Sequence, residues 1–427
     1  MGETGRNALA ATALCLALAA ACSAHPVRDG TTAGARASAV PAPSAPPLPA
    51  GFGYRELTRW LDADSPVRLS VVSVAPDARV RVTGVQGPGM SRGRTVRDLA
   101  ESVGALAAVN GTYFDIAGGR DHSGYEGDPI GLYAEHGTVL SEALAGRPAL
   151  LIGRAHGRLL ARVAEVSTTG RLRAADGAGR ELDGVDRAPG RILGCGGVGG
   201  DRIAATGRLR GTPYNGLCTD ADEVVSFTRE WGTDTPAGPP GSREALLSAN
   251  GTVLAVRSPA GGPLPEAGSV LYGIGTGADW LRAHAGTGTR VAASMRVTTV
   301  DGQDVAGPVE TAVGGSARLL RDGVPDEDSL RLLRPSREPR TAAGVTTDGT
   351  LLLVTIDGRR SGASVGATPR EAARLLRTLG AVDALNLDGG GSTTAVFRGR
   401  LRNSPRAAWN AAPTERRVAD AIAVLPD

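Results

Sequence analysis

The apolar positions of this chain fall into short runs rather than long periodic stretches. RLSVVSV (68–74), PALLIG (148–153), DEVVSFT (222–228), TVLAV (252–256) and RVAASMRV (290–297) have the length and Val/Leu content of strands, and Gly or Asp clusters separate them. Helical spacing is rarer and is predicted at 95–103 and 277–285. No segment repeats at a fixed period.

The pattern is sharpest near the C-terminus. LLLVTI (351–356) is a buried-strand run, and Thr368-Pro369-Arg370-Glu371 is a capping box with proline at the first helical position. Ala372, Leu375, Leu376 and Leu379 then follow the spacing of one buried helix face, and Gly380 ends it. ALNL (384–387) is the next strand, so the pattern predicts a βαβ unit with parallel strands. The expected fold class is α+β: a mixed, β-rich domain with few helices and a C-terminal βαβ unit.

Asp357 in IDGRR and Asp388 in LDGGGST follow these two strands directly. If the strands are neighbours, about 4.8 Å apart, both carboxylates face one cleft at the strand ends, where ligands of open α/β sheets commonly sit. An equally weighted reading makes both Asp-Gly pairs simple turns. Gly389, Gly390 and Gly391 offer consecutive N–H groups without side chains for a nest around a phosphate oxygen, and Ser392, Thr393 and Thr394 add hydroxyls.

At the N-terminus, Arg6 precedes an apolar stretch at 8–21 that is too short to span a bilayer and has the size of a signal-peptide core. It runs into LAAAC, so residues 1–21 resemble a bacterial lipoprotein signal with Cys22 as the lipidated first residue. Ala19 stands where such signals usually carry Leu, and a plain secretory peptide cleaved near Ala21 or Ala24 is the alternative. Residues 22–50, rich in Ala, Pro and Ser, read as a disordered tether, and 51–427 as one folded domain. The expected location is extracytoplasmic, on the outer face of the cell membrane, with the lipid anchor as the only membrane contact.

Composition adds three constraints. The basic residues are all Arg and the net charge is only +3, too mild for a nucleic-acid partner. With Cys15 removed and Cys22 modified, Cys195 and Cys218 remain together in an oxidising space and are expected to form a disulfide, the alternative being two separate buried thiols. His122, His136, His156 and His284 have no zinc-ligand spacing, so neither metal nor cofactor is expected.

The motifs AAVNGTYFD (107–115), DPIGLYAEHGTVLSE (128–142), AVGGSARLLRDG (312–323), PRTAAGVTTDGTLLLVTIDGRR (339–360), LGAVDALNLDGGGSTTAVFRG (379–399) and ERRVADAIAV (415–424) together resemble the phosphodiester glycosidase family over residues 98–425. The resemblance implies an enzyme that hydrolyses the anomeric C–O bond of a sugar-1-phosphodiester, releasing free sugar and a phosphomonoester. It also implies a pocket lined by Asn110, Asp128, Arg340, Thr341, Asp357, Arg359, Asp388, Ser392 and Arg416. Two departures stand out: Asp420 replaces the family's usual Asn, and Ser316-Ala317 lies in a loop that usually reads GGGPxLL.

An oxocarbenium-like transition state calls for carboxylates, and Asp357 and Asp388 are the candidates for base or nucleophile. Arg340, Arg359 and the turn from Gly389 through Thr393 are the candidates for gripping the phosphodiester. Tyr113, Tyr125 and Trp409 are possible sugar-stacking faces. Two rival functions use the same residues: a metal-dependent phosphodiesterase with Asp357 and Asp388 on Mg²⁺ or Mn²⁺, and a non-catalytic lipoprotein that binds an anionic envelope polysaccharide. A sugar-phosphodiester or a cell-envelope polymer is the expected partner.

Overall fold

The computed structural model describes residues 46–116, 127–195, 200–210, 215–305 and 309–427. The predicted signal, Cys22, most of the tether, His122 and Tyr125 lie outside them. The described residues are strand-rich with four α-helices, as the short apolar runs predict, and Leu48–Asp427 forms one compact unit.

A seven-stranded sheet carries the C-terminal motifs. Its order is Phe52–Trp60, Pro66–Val74, Leu351–Ile356, Arg340–Thr346, Ala381–Asn386, Ala317–Arg321 and Val324–Pro325, and each strand is antiparallel to its neighbours. Leu351–Ile356 is buried throughout because both faces of the sheet are covered. Leu351 and Leu353 enter a core shared with Val80, Leu150, Ile152 and Val424 of two other sheets. Leu352, Val354 and Ile356 pack with Leu375 and Leu376 of helix Pro369–Thr378.

That helix forms as its sequence predicts. Thr368 Oγ1 accepts from the Glu371 N–H at 3.2 Å, and the Thr368 N–H donates to Glu371 Oε2 at 2.8 Å, closing the capping box. Such caps are worth about 1 kcal/mol. The predicted βαβ unit needs correction, however. Strands Leu351–Ile356 and Ala381–Asn386 run in the same direction but are not neighbours, because Arg340–Thr346 lies between them, antiparallel to both.

A five-stranded sheet adds Val80–Gln86, Asp420–Pro426, Ala107–Asn110, Ala395–Phe397 and Arg400–Leu401. Strand Arg147–Ala155 lies inside a third sheet, between Arg158–Ala174 and Val309–Gly314. A small sheet pairs Arg191–Leu193 with Leu217–Thr219, and the expected Cys195–Cys218 disulfide is present beside this pair, its Cα atoms 5.2 Å apart.

Candidate active site

Residue alternation along the central strands decides which way each candidate points. Ala342 and Ala384 belong to the face packed on the helix, so Arg340, two residues before Ala342, and Asn386, paired with Ala342, continue that face. Thr341 and Asp357 fall on the opposite alternation. Asp357 and Asp388 therefore diverge rather than converge, contrary to the expectation of neighbouring parallel strands.

Asp388 opens onto a cavity of about 640 Å³ lined also by Tyr113, Arg147, Asn215, Ser316, Glu338, Arg340, Gly389 and Gly390. Its Oδ1 accepts from the Gly389 N–H at 2.9 Å. Burial pushes its pKa up to about 6, against the lowering influence of the Ser392 hydroxyl, the Gly389 N–H and the Arg416 charge. Asn110, fully buried, fixes the backbone here. Its Nδ2 donates to the Asp388 carbonyl at 2.7 Å, and its Oδ1 accepts from Thr341 Oγ1 at 2.6 Å and from the Thr394 N–H at 3.1 Å. Asn110 and Thr341 thus position the strand end instead of lining the cavity.

The triple glycine permits close approach. A Cβ on Gly389 would meet the Pro339 carbonyl oxygen at 2.8 Å, and one on Gly391 would meet Arg416 Nη2 at 2.7 Å. Gly390 has φ +59° and passes Arg359. Two of the three N–H groups that the expected phosphate nest would use are already bonded within the protein. The Gly389 N–H bonds Asp388, the Gly390 N–H bonds the Pro339 carbonyl, and the Ser392 and Thr393 N–H groups close the turn on Gly389 and Gly390.

The buried cationic groups of the cavity are instead Arg340 and Arg147, and the exposed Arg334 lines it as well. Arg340 is 7% exposed and donates to the carbonyls of Ala367 (2.6 Å) and Ser336 (3.1 Å) and to Asn386 Oδ1 (3.4 Å). Arg147 is 4% exposed and donates to the Ser316 carbonyl at 2.8 Å and to Asn215 Oδ1. All these partners are neutral, and among the described residues neither guanidinium has a carboxylate within ion-pair distance. Burial lowers the pKa of both. Two buried cations without an ion-pair partner thus line one cavity together with Asp388 and Glu338, an arrangement that suits a ligand carrying an anionic group.

Tyr113 lies between them. Asn386 Nδ2 donates to the Tyr113 hydroxyl at 2.8 Å and to Ser316 Oγ at 3.1 Å, and the two hydroxyls are 3.1 Å apart. Burial, reinforced by the Asp388 charge, pushes the phenol up to about 12.

The remaining candidates sit elsewhere. Asp357 lines a separate cavity of about 290 Å³ with Glu56, Arg68, Ser364, Arg402 and Asn403. Its Oδ1 accepts from the Ser404 N–H at 3.2 Å, and burial raises its pKa. Arg359 is committed to Glu338 (2.9 Å) and to the carbonyls of Arg406 (2.8 Å) and Ala407 (2.6 Å), so it backs the glycine turn instead of facing the cavity. Arg416 reaches Ser392 Oγ at 3.4 Å and acts on Asp388 through its charge. Asp128 lines a third, small cavity with Asp115, Glu142, Arg187 and Arg191. There burial and the neighbouring Glu142 hold its pKa well above the usual carboxylate range. Trp409 is half-exposed at the surface.

Among the described residues, Asp201, Asp220 and Glu223 bring carboxylate oxygens within 4.8 Å of one another. Glu223 already accepts from Arg187 and the Gly190 N–H, and Asp201 pairs with Arg210, so salt bridges hold two of the three.

Arg147, Asn215, Glu338 and Asn386 escaped the sequence reading. Arg147 was visible only as a charge opening the strand run PALLIG, and Asn386 lay within the NLDGGGST motif, overshadowed by its aspartate.

The model of the phosphodiester glycosidase family matches residues 243–425. A "Putative exported protein" from Burkholderia pseudomallei has a crystal structure that superposes with a TM-score of 0.75 at 30% identity, over 85% of this chain and 74% of that one. A hypothetical protein from Synechocystis shares the fold, with a TM-score of 0.64 at 19% identity, over 90% of this chain and 64% of its own. The curated relative, the SPbeta prophage-derived uncharacterized protein YomE of Bacillus subtilis, is 40% identical over 68 residues, 16% of this chain, which spans only 10% of YomE. The family match covers Glu338, Arg340, Asn386, Asp388, the triple glycine and Arg416, and the 30% identity to the Burkholderia protein runs over most of both chains: this chain belongs to the phosphodiester glycosidase family.

Proposed function

We propose that this chain is an exported hydrolase that breaks the bond between the anomeric carbon and the phosphate oxygen of a sugar-1-phosphodiester. One observation carries the reading: a single cavity brings Asp388, with its pKa raised to about 6, together with Arg147 and Arg340, two buried cations without carboxylate partners. In this reading Arg147 and Arg340 hold the non-bridging phosphate oxygens, which supports the electron pair that leaves with the phosphomonoester. Asp388 faces the anomeric carbon and stabilises its developing positive charge, either directly or by taking the proton of the attacking water. Glu338, the other carboxylate on the cavity wall, is held by Arg359.

Export agrees with the name of the Burkholderia relative, and anchoring through Cys22 belongs to the same proposal. So does an envelope sugar-phosphate polymer as the source of substrate. The rival metal phosphodiesterase would need Asp357 and Asp388 on one ion, and these residues line different cavities. Hydrolysis in ¹⁸O-labelled water tests the reading. Label is expected on the free sugar and not on the phosphomonoester; label on phosphate would mean attack at phosphorus and would refute the glycosidase.

A further inference from the structure

The cavity that holds Asp388 has a second, chemically different region. Ile130, Leu144, Leu193, Leu217, Leu332 and Leu333 also line it, none of the six fully buried, with the exposed Arg334 beside Leu333 at the margin. These residues are contiguous. Leu193 pairs with Leu217 across the small sheet. Gly194, next in the chain, has φ +76°, and a Cβ there would stand 3.0 Å from Leu144 and 3.1 Å from Ile130. Asn215, which receives the Arg147 guanidinium, donates to the Leu332 carbonyl at 3.5 Å. The apolar wall is therefore built around the Arg147 end of the cavity. Asp388 and Arg340 line the cavity on the far side of a relay through Ser316, Tyr113 and Asn386, which connects Arg147 with Arg340.

Taking the proposed reaction as given, we infer that the non-sugar arm of the substrate is a long apolar alcohol, a straight-chain or isoprenoid lipid phosphate, lying on this leucine wall. The order of groups along the cavity carries the argument. The anomeric carbon must meet Asp388, and the phosphate must meet the two arginines, so the second ester arm leaves on the Arg147 side. There it meets aliphatic side chains. A polyol arm would lose its water there and find few hydrogen-bond partners in return, whereas an alkyl arm gains by leaving water. Each methylene buried on such a wall is worth roughly fourfold in affinity. Partly open leucines beside an anion site are also what an amphiphile needs, since both its halves are then satisfied at once.

The test is calorimetric and does not depend on turnover. The full chain carrying Cys22→Ser is titrated with decyl phosphate, geranyl phosphate and glycerol phosphate, the serine removing the predicted lipid so that no detergent competes for the wall. At least one of the two lipid phosphates is expected to bind tenfold or more tightly than glycerol phosphate, and which one does so distinguishes a straight-chain from an isoprenoid source. Leu332→Gln, at a position 47% exposed and therefore replaceable without disturbing a core, should reduce that advantage at least threefold, and Leu217→Gln should do the same. Equal binding of all three phosphates, or an advantage undiminished in both variants, overturns the inference. Hydrolysis of a methyl diester of a sugar phosphate without any lipid preference would sink the leucine wall alone. A retained lipid preference with phosphorus-labelled product would sink the glycosidase alone.

Discussion

Arg147 and Arg340 come from different sheets yet are joined by a relay: Arg147 to the Ser316 carbonyl, Ser316 Oγ to the Tyr113 hydroxyl, Tyr113 to Asn386 Nδ2, and Asn386 Oδ1 to Arg340. A neutral relay fixes both guanidiniums without neutralising them. Their charge stays available for a ligand, which an ion pair would have used up.

Arg147→Lys and Arg340→Lys should therefore each lower kcat/KM by about 10² or more, because a point charge does not replace a planar fork on phosphate. Both variants should melt near the parent temperature, since no carboxylate is left stranded. Assays with a sugar-1-phosphodiester and thermal melts check the pair of outcomes; parent-like kcat/KM in both would remove the arginines from the site.

Asp357 and Asp388 should behave differently. Asp388→Asn is expected to lower kcat by about 10² or more, while Asp357→Asn should stay within about tenfold of the parent, as it lines another cavity and bonds the Ser404 N–H. If the ionised Asp388 is the working form, log(kcat/KM) should rise with unit slope up to about pH 6 and then level off. A profile flat through pH 6, or a collapse of activity in Asp357→Asn, would reverse this assignment.

The disulfide links the two paired strands of the small sheet that carry Leu193 and Leu217. Replacing Cys195 and Cys218 by Ser should cost about 3 kcal/mol in the chain-entropy model, seen as a lower melting temperature. Because Leu193 and Leu217 flank the bridge, KM should rise more than kcat falls. A kcat loss at constant KM would instead link the bridge to the chemistry.

Local rules made much of this legible. The capping box, the buried helix face and the strand run LLLVTI depend on residues within a few positions of one another, and all formed as read. The insertion of Arg340–Thr346 between the two strands of the expected βαβ unit does not follow from local pattern, because an apolar run records burial but not its neighbour. That single insertion separates Asp357 from Asp388. Arg147 was equally hidden, since its role depends on Ser316 and Asn215, 169 and 68 residues away. The triple glycine stands out in the sequence, but its close passage beside Pro339, Arg359 and Arg416 depends on residues far along the chain.

Buried carboxylates make the last prediction, an acid-shifted stability. Asp420, fully buried where the family resemblance leads one to expect Asn, accepts from the Thr112 N–H at 3.0 Å and from its hydroxyl, and burial pushes its pKa up to about 7. Asp183, Asp186 and Asp201 are likewise raised to about 7 and Asp388 to about 6, with burial the first cause in each. A raised folded-state pKa means that the native protein binds more protons than the unfolded chain between the ordinary carboxylate range and pH 7. Stability must then fall as pH rises through that window and level off above it. Below about pH 4 the opposite group takes over: Glu165 and Glu371 are held low by Arg318 and Arg337, and protonating them removes favourable pairing. The melting temperature should therefore peak near pH 4 to 5 and decline towards pH 7. Asp420→Asn, which removes a charge that is costly to bury and keeps an acceptor for Thr112, should raise the melting temperature at pH 8 and leave it nearly unchanged at pH 4. A melting temperature that climbs from pH 5 to pH 8, or an Asp420→Asn variant destabilised at pH 8, would show that these carboxylates are ionised at no cost.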